Sequence, residues 1–511
     1  MKDYNSYSVN RLLGIPVDLI LLIGSILVVA IATLYPYNFS IPENFSLHLL
    51  LERFDNTSFF KDQVENVLLF MPFGCGLASI LMRKGVQPLI QILVVVFAGA
   101  SLSCTVEFLQ IFLPSRDPTP ADIVNNTIGS FIGLLSLYIL DARSFRSTLN
   151  YIENSQLSNS RKAITIFFSG YILLTFLIGF SWENNTTLSH WSQNFPLLIG
   201  NELTGDRPWQ GSVSQILIAE KAISNDDVQK ILSNPDYLAS INLGSKNILL
   251  AKYKFNGKDY YRDITEKQPD LLWHGQASES QNESEQQGIF VDSSRWLETA
   301  EPVRLINQRI RQTSQFTIIT SIASANPNQQ GPARIISVSG GPLRRNFTLG
   351  QDQTDLSLRL RTPITGQNGA DIRLSVPNVF SDTNLHKVII TYARGLISVY
   401  VNKPENAYFF NLLELYPKRE RVFAYAALFI PLGFYLTLLT IIAKRKYALN
   451  QVLLISGTIL PSLIIESSLV HLTSKSFSFT NVGLGIFFTA VTTFAFKVRA
   501  AISSNQLGVG S

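Results

Sequence analysis

Cysteine is nearly absent: Cys75 and Cys104 are the only two in 511 residues, and both sit in apolar runs. The polar part of the chain therefore has no disulfide framework and no cysteine-based metal centre. Histidine is scarce as well, and His190, His274 and His386 are dispersed without metal-ligand spacing, so no metal site is expected. Charged residues make up only 15% of the chain, and the formal charge of +5 is scattered along loops. An aromatic-laced basic patch is missing, which excludes nucleic acid as a partner. What fills the chain instead is apolar: 46% hydrophobic residues and a mean hydropathy of +0.18 indicate a membrane protein with a soluble part.

A run of about 20 apolar residues is long enough to span a bilayer. Such runs occur near 17–35, 64–82, 89–113, 122–140 and 163–181, and again near 422–442, 449–470 and 479–496. The expected fold class is thus a polytopic α-helical membrane protein of about eight transmembrane helices, with an all-β domain inserted between helices five and six. Its parts are a membrane domain over 1–181, a polar stretch over 182–417 and a second membrane block over 418–511.

Orientation follows from lysine and arginine in the short loops. With the N-terminus inside, thirteen fall on the inner side: Lys2, Arg11, Arg83, Lys84, Arg143, Arg146, Arg161, Lys162, Lys444, Arg445, Lys446, Lys497 and Arg499. Four fall outside: Arg53, Lys61, Arg116 and Lys475. The polar domain is expected to face outward from a plasma (inner) membrane, with both termini cytoplasmic. Ala30-Ile31-Ala32 has the look of a signal-peptide cleavage site, but removal of the first helix would leave the remaining topology unchanged.

The two membrane blocks resemble each other. "LLFMPFG" (68–74) matches "ALFIPLG" (427–433), and the same ungapped offset of 359 places Glu107 on Glu466, Arg116 on Lys475 and Asp122 on Asn481. Duplication is the natural reading, with the second copy eroded, because Gln110 faces Leu469, Asn125 faces Leu484 and Gly129 faces Phe488. Chance alignment of leucine-rich helices is the rival.

The stretch "TVEFLQIFLPSRDPTPADIVNNTIG" (105–129) concentrates polar groups between apolar runs. Glu107 and Gln110 share one helix face, and Asp122, Asn125, Asn126 and Gly129 share another. Asn66 starts the preceding helix at the same end. An ionisable residue in a membrane costs about 2.5 to 3.5 kcal/mol on insertion scales and is usually kept for a partner or a function. Two readings stand: Glu107 pairs with Arg116 while the amides bridge helices, or the group forms a polar pocket for a headgroup or a proton. Asp122 also suits an N-cap after "DPTP".

Residues 62–140 resemble the VanZ-like membrane proteins, first named from a glycopeptide-antibiotic resistance cluster. The likeness rests on "DQVENVLLFMPFG" and "EFLQIFLPSRDPTPADIVNNTIG". The family pattern falls on Asn66, Pro72, Phe73, Gly74, Glu107, Gln110, Arg116, Asp122, Asn125 and Gly129. It implies a membrane location and a link to cell-envelope chemistry, and no reaction.

The polar stretch alternates in short runs, as in "FTIITSIA" (316–323), "DLSLRLRT" (355–362), "HKVIITY" (386–392) and "ISVYV" (397–401). It reads as an antiparallel sandwich and resembles a concanavalin A-like, laminin-G-like jelly roll. "LLAKYKFNGKDYYRDITEKQPDLLWHG" looks like that fold's opening, and "NLHKVIITYARGLISVYVN" like its late strand pair. Residues 196–232 look like its closing segment yet come first, as a circular permutation would produce. The likeness implies carbohydrate binding, while a glycanase would need two carboxylates about 5 to 9.5 Å apart. No such strand is found; the acidic run "SESQNESEQQ" (278–287) is a polar loop. Trp209, Trp273, Trp296, Tyr260 and Tyr261 are candidates for stacking on sugar rings, with the sandwich core as their alternative fate. Calcium in the sandwich is the one cofactor considered, although no ligand run marks it.

The expected function is a membrane-anchored envelope protein with an outward carbohydrate-binding domain and no assigned catalytic residue. The alternative is a membrane-embedded enzyme or transporter for a lipid-linked or glycopeptide-like ligand. Expected partners are the lipid bilayer, an envelope glycan and other membrane proteins.

Overall fold

The computed structural model describes residues 11–12, 15–40, 60–113, 116, 118–155, 160–234, 248–255, 261–275, 288–443 and 447–508. Among the described residues eight helices are long and apolar enough to cross a membrane. They are α1 (Val17–Leu34), α2 (Phe60–Arg83), α3 (Pro88–Gln110), α4 (Pro120–Leu140), α6 (Arg161–Glu183), α9 (Lys418–Ile442), α10 (Tyr447–Leu472) and α11 (Phe479–Gly508). The number agrees with the sequence expectation. Between α4 and α6 lies α5 (Ala142–Glu153), an amphipathic helix that apolar run length could not announce. Among the described residues the polar stretch also holds α7 (Asn225–Ser233), α8 (Arg304–Thr313) and a single helical turn at Leu412–Leu415. The chain divides into two compact units, Met1–Thr175 with Phe423–Leu463 and Thr480–Ser511, and Phe176–Val422 with Ile464–Phe479.

In the helical unit, glycines set how closely helices approach. A Cβ on Gly74 of α2 would collide with the Ser130 carbonyl of α4; one on Gly129 would collide with Val67, and one on Gly133 with Met71. The sequence "GSFIG" (129–133) is therefore a small-xxx-small seam against α2. Lipid-compatible side chains point the other way, with Leu89, Leu93 and Phe97 of α3 exposed. Pro72 and Pro431 stand inside α2 and α9, where neighbouring helices make an interior proline tolerable.

The proposed repeat has matching contacts in space. Gly74 meets Ser130, and at the same offset Gly433 of α9 meets Thr489 of α11. Asn126 bonds Ser103, and at their counterpart positions Gly485 lies against Ser462. Phe70 and Phe429, equivalent in register, are both fully buried. The correspondence also reaches one helix further than the sequence comparison did. Gly76 of α2 packs against Leu22 of α1, and its counterpart Tyr435 donates its hydroxyl to the Phe167 carbonyl of α6 at 3.0 Å. Thus α6 touches α9 at the register position where α1 touches α2, as a repeat of four helices would require. In the first copy residues 35–59 join the first two helices; in the second that connection is 184–417.

This long connection forms two antiparallel sheets of seven strands each. The strands are β1 (Leu197–Ile199), β2 (Gly211–Ala219), β3 (Leu249–Lys254), β4 (Leu271–His274), β5 (Ile289–Val291), β6 (Trp296–Thr299) and β7 (Phe316–Ser324). They continue with β8 (Ala333–Ser339), β9 (Arg345–Asp352), β10 (Asp355–Leu360), β11 (Leu374–Val376), β12 (His386–Ala393), β13 (Leu396–Val401) and β14 (Lys403–Asn411). One sheet has the order β11-β10-β9-β8-β1-β6-β4; the other runs β14-β13-β12-β7-β2-β3, with β5 also on β2. Apolar residues at alternate positions fill the space between them, and Phe316 of one sheet meets Phe347 of the other edge-on at 5.6 Å. The outer face of the second sheet is covered by α7, whose Val228 and Ile231 pack on Leu217, Ile319, Ile389 and Tyr400. The first sheet's outer face is polar.

The seam predicts one result. Gly133→Val should cost more than the usual 1 to 3 kcal/mol of overpacking, because the obstacles are backbone atoms, Met71 carbonyl and Cys75 nitrogen. Gly24→Ala, with nothing within 4 Å of the added methyl, should behave as wild type. Thermal unfolding of both variants in detergent checks this.

Candidate functional site

Thr119 begins α4, and Pro120 follows at the first helical position, where a missing N–H costs nothing. The Thr119 hydroxyl accepts the Asp122 N–H at 3.2 Å. The N-cap is therefore Thr119, and Asp122 sits in the first turn instead of at the cap, a correction to the sequence expectation. A threonine oxygen reaches the third amide while the aspartate carboxylate remains where the helix dipole favours it. Glu107, 2% exposed on α3, accepts the Thr119 N–H at 3.0 Å. Asp122 is near enough to act on that carboxylate electrostatically.

Arg116 does not pair with Glu107. Its Nη2 donates to the carbonyls of Ala32 at 2.9 Å and Tyr35 at 3.3 Å. These belong to the C-terminal end of α1, where orphan carbonyls attract a cation. Gln110 turns to the same helix end and donates to the Thr33 carbonyl at 3.0 Å. Both residues thus pin α1, and no cation is paired with Glu107 among the described residues.

The amides divide. Asn126 is buried and donates to the Ser103 hydroxyl at 2.9 Å, one helical turn from Glu107. Its Oδ1 is buried without a hydrogen-bond partner among the described residues. Asn125 and Asn66 are half-buried, and no hydrogen bond places either on Glu107.

The second copy keeps one part of this arrangement and changes another. Glu466, 1% exposed, accepts the Ser478 N–H at 2.7 Å just before α11, in the same register as Glu107 and Thr119. Here, however, Lys475 donates directly to Glu466 in a buried ion pair. The adjoining loop is tied to the sandwich: Ser476 donates through N and Oγ to Glu414, each at 2.7 Å, and Ser474 N donates to the Arg394 carbonyl at 3.1 Å. Asn481 follows in the first turn of α11 and is buried.

The matched register raises the question of which known proteins share the first copy. A VanZ/LLP1 family model matches residues 20–141. That segment runs from α1 to the end of α4. Protein VanZ of Enterococcus faecium is 28% identical over 148 residues, which are 28% of this chain and 80% of that protein. No solved structure matches the chain. The VanZ-like segment contains Glu107, Thr119 and Asn126; the second copy and both sheets lie beyond the match.

In the sandwich the aromatic candidates separate. Trp209 is fully buried, with Nε1 donating to Gln351 at 2.8 Å. Trp296 is 8% exposed and stacks on the His274 ring at 4.0 Å. Both are packing residues: Trp209 is buried with its N–H satisfied, and Trp296 is buried with its face against His274. Trp273 and Tyr261 are half-buried, lying under the guanidinium groups of Arg295 and Arg262 at 5.3 and 5.5 Å. Tyr260 and the acidic run 278–287 lie outside the described residues. Among the described residues no group of three or more His, Cys, Asp or Glu could hold a metal ion.

The contrast between the copies has a measurable result. Glu466→Gln should strand the buried Lys475 charge and destabilise by about 3 to 5 kcal/mol. Glu107→Gln keeps an oxygen for Thr119 and should cost about 1 kcal/mol or less. Unfolding midpoints of the two variants in the same detergent provide the comparison.

Proposed function

We propose that the chain is an integral cell-envelope membrane protein whose VanZ-like copy offers an intramembrane polar site centred on Glu107, on the outer side of the bilayer. The observation that carries this reading is the unequal fate of two equivalent glutamates. Both accept the amide that starts the next helix, but among the described residues only Glu466 has a cation. A buried carboxylate without a counter-charge is costly and is commonly retained for a ligand or a proton. Asn126, with an unpartnered buried Oδ1 on the facing helix, supports a site that takes a hydrogen-bond donor. The substrate class best suited is an amine- or hydroxyl-bearing headgroup of a lipid-linked envelope precursor or a glycopeptide-like ligand.

The sandwich is proposed as the recognition module on the same side, a concanavalin A-like jelly roll that binds envelope glycan. Trp273 and Tyr261 are its remaining stacking candidates. The permuted order of its strands is supported by β2, which belongs to the closing-like segment 196–232 yet lies inside its sheet, between β7 and β3.

Two results check these readings. A membrane-impermeant maleimide should label Leu203→Cys in intact cells and leave Ser155→Cys unlabelled; the reverse pattern would invert the topology. Cells making Glu107→Gln at the wild-type level should match cells lacking the protein in glycopeptide susceptibility. Wild-type susceptibility in the variant would remove Glu107 from the function.

A further inference from the structure

The polar outer face of the first sheet carries a group of arginines that the sequence scatters over 207–359. In register, Ser337 of β8 lies opposite Thr348 of β9, which lies opposite Arg359 of β10, while Ile336, Leu349 and Leu358 face the core. Arg334 and Arg345, at the ends of β8 and β9, are 2% and 0% exposed. One buried carboxylate accompanies them: Glu202, 0% exposed, with Oε2 at 3.6 Å from Arg334 Nε and with Oε1 accepting the Ser339 hydroxyl.

The available bonds do not satisfy these guanidinium groups. Arg345 Nη2 donates to the Pro342 carbonyl, and Arg359 Nη1 donates to Asn368 at 3.3 Å. Nε and Nη1 of Arg334, Nε and Nη1 of Arg345 and Oε2 of Glu202 are buried with no hydrogen-bond partner among the described residues. Farther out, Arg359 is half-buried and Arg207 exposed, the latter beside Asp206 at 3.6 Å. Asp352 at the rim is engaged by Arg373 at 3.8 Å. Among the described residues Glu202 is the buried carboxylate facing Arg334 and Arg345, while Arg359 also feels Asp352 at the rim.

Such a layer is under electrostatic pressure. Burial, followed by the Arg345 and Arg359 charges, lowers the Arg334 guanidinium to about 9 against the opposing pull of Glu202. Burial and then Arg359 lower Arg345 to about 10. Buried cations are retained where an anion compensates them, and arginine's planar fork suits carboxylate or phosphate oxygens.

We propose that this cluster binds an oxyanion, a carboxylate or phosphate group of a ligand that enters past Arg207 and Arg359 and accepts hydrogen bonds from the open Nε and Nη1 atoms of Arg334 and Arg345. The site is separate from the aromatic residues Trp273 and Tyr261 and requires neither.

The test uses the full chain in nanodiscs and follows thermal unfolding in inorganic phosphate, galacturonate or neutral galactose, with chloride holding ionic strength constant. Phosphate or galacturonate should raise the unfolding temperature saturably, and galactose should not. A response to phosphate alone assigns a phosphorylated ligand, and one to galacturonate alone assigns an acidic sugar. Arg359→Gln and Arg207→Gln, at the more exposed rim, should each weaken the response about tenfold. Lys403→Gln, exposed on edge strand β14 of the other sheet, should respond as wild type. Arg334→Gln should abolish the response if it folds, and the rim variants decide the matter if it does not. The proposal is overturned if neither anion stabilises beyond chloride, if galactose stabilises equally, or if both rim variants bind as tightly as wild type.

Discussion

A helix that starts within an apolar layer exposes its first amides to surroundings that cannot bond them. In each copy one glutamate meets this requirement: Glu107 takes the Thr119 N–H and Glu466 takes the Ser478 N–H. The carboxylate also lies where the helix dipole favours negative charge. Once the glutamate is fixed there, the third and fourth helices of a copy are joined at a defined point. The glycine contacts Gly74–Ser130 and Gly433–Thr489 then fix their approach to the second helix. What varies between copies is the charge placed on that carboxylate.

The loop basic residue accounts for the difference. Arg116 is long and forked, and it reaches the carbonyl end of α1; Lys475, a compact point charge, stays on its own glutamate. The loop carrying Lys475 also holds the sandwich through Ser474 and Ser476. At Lys475 the loop thus combines an ion pair with bonds to Arg394 and Glu414 of the insert.

Much of this was legible in the sequence, and for identifiable reasons. Apolar run length gives the eight helices directly, since a bilayer imposes a minimum span. The offset of 359 gives Glu107 and Glu466 because register survives within helices. Period-two alternation gives the hairpin β12–β13. Arg116 was assigned no partner on α1 because the position of α1 is a tertiary fact. The same limit hides Trp209 and Trp296 in the packing, and leaves Arg207, Arg334, Arg345 and Arg359 unrelated until β8, β9 and β10 are paired. The sequence marks Gly129 as a point of close approach, while the part of Gly133 depends on the packing of α4 against Met71 and Cys75 of α2.

The insert leaves the chain after α6 and returns to it at α9, the first two helices of one copy. The entropy of closing a loop grows only with the logarithm of its length, so replacing a short helix-to-helix connection by a whole folded domain costs the flanking pair of helices little.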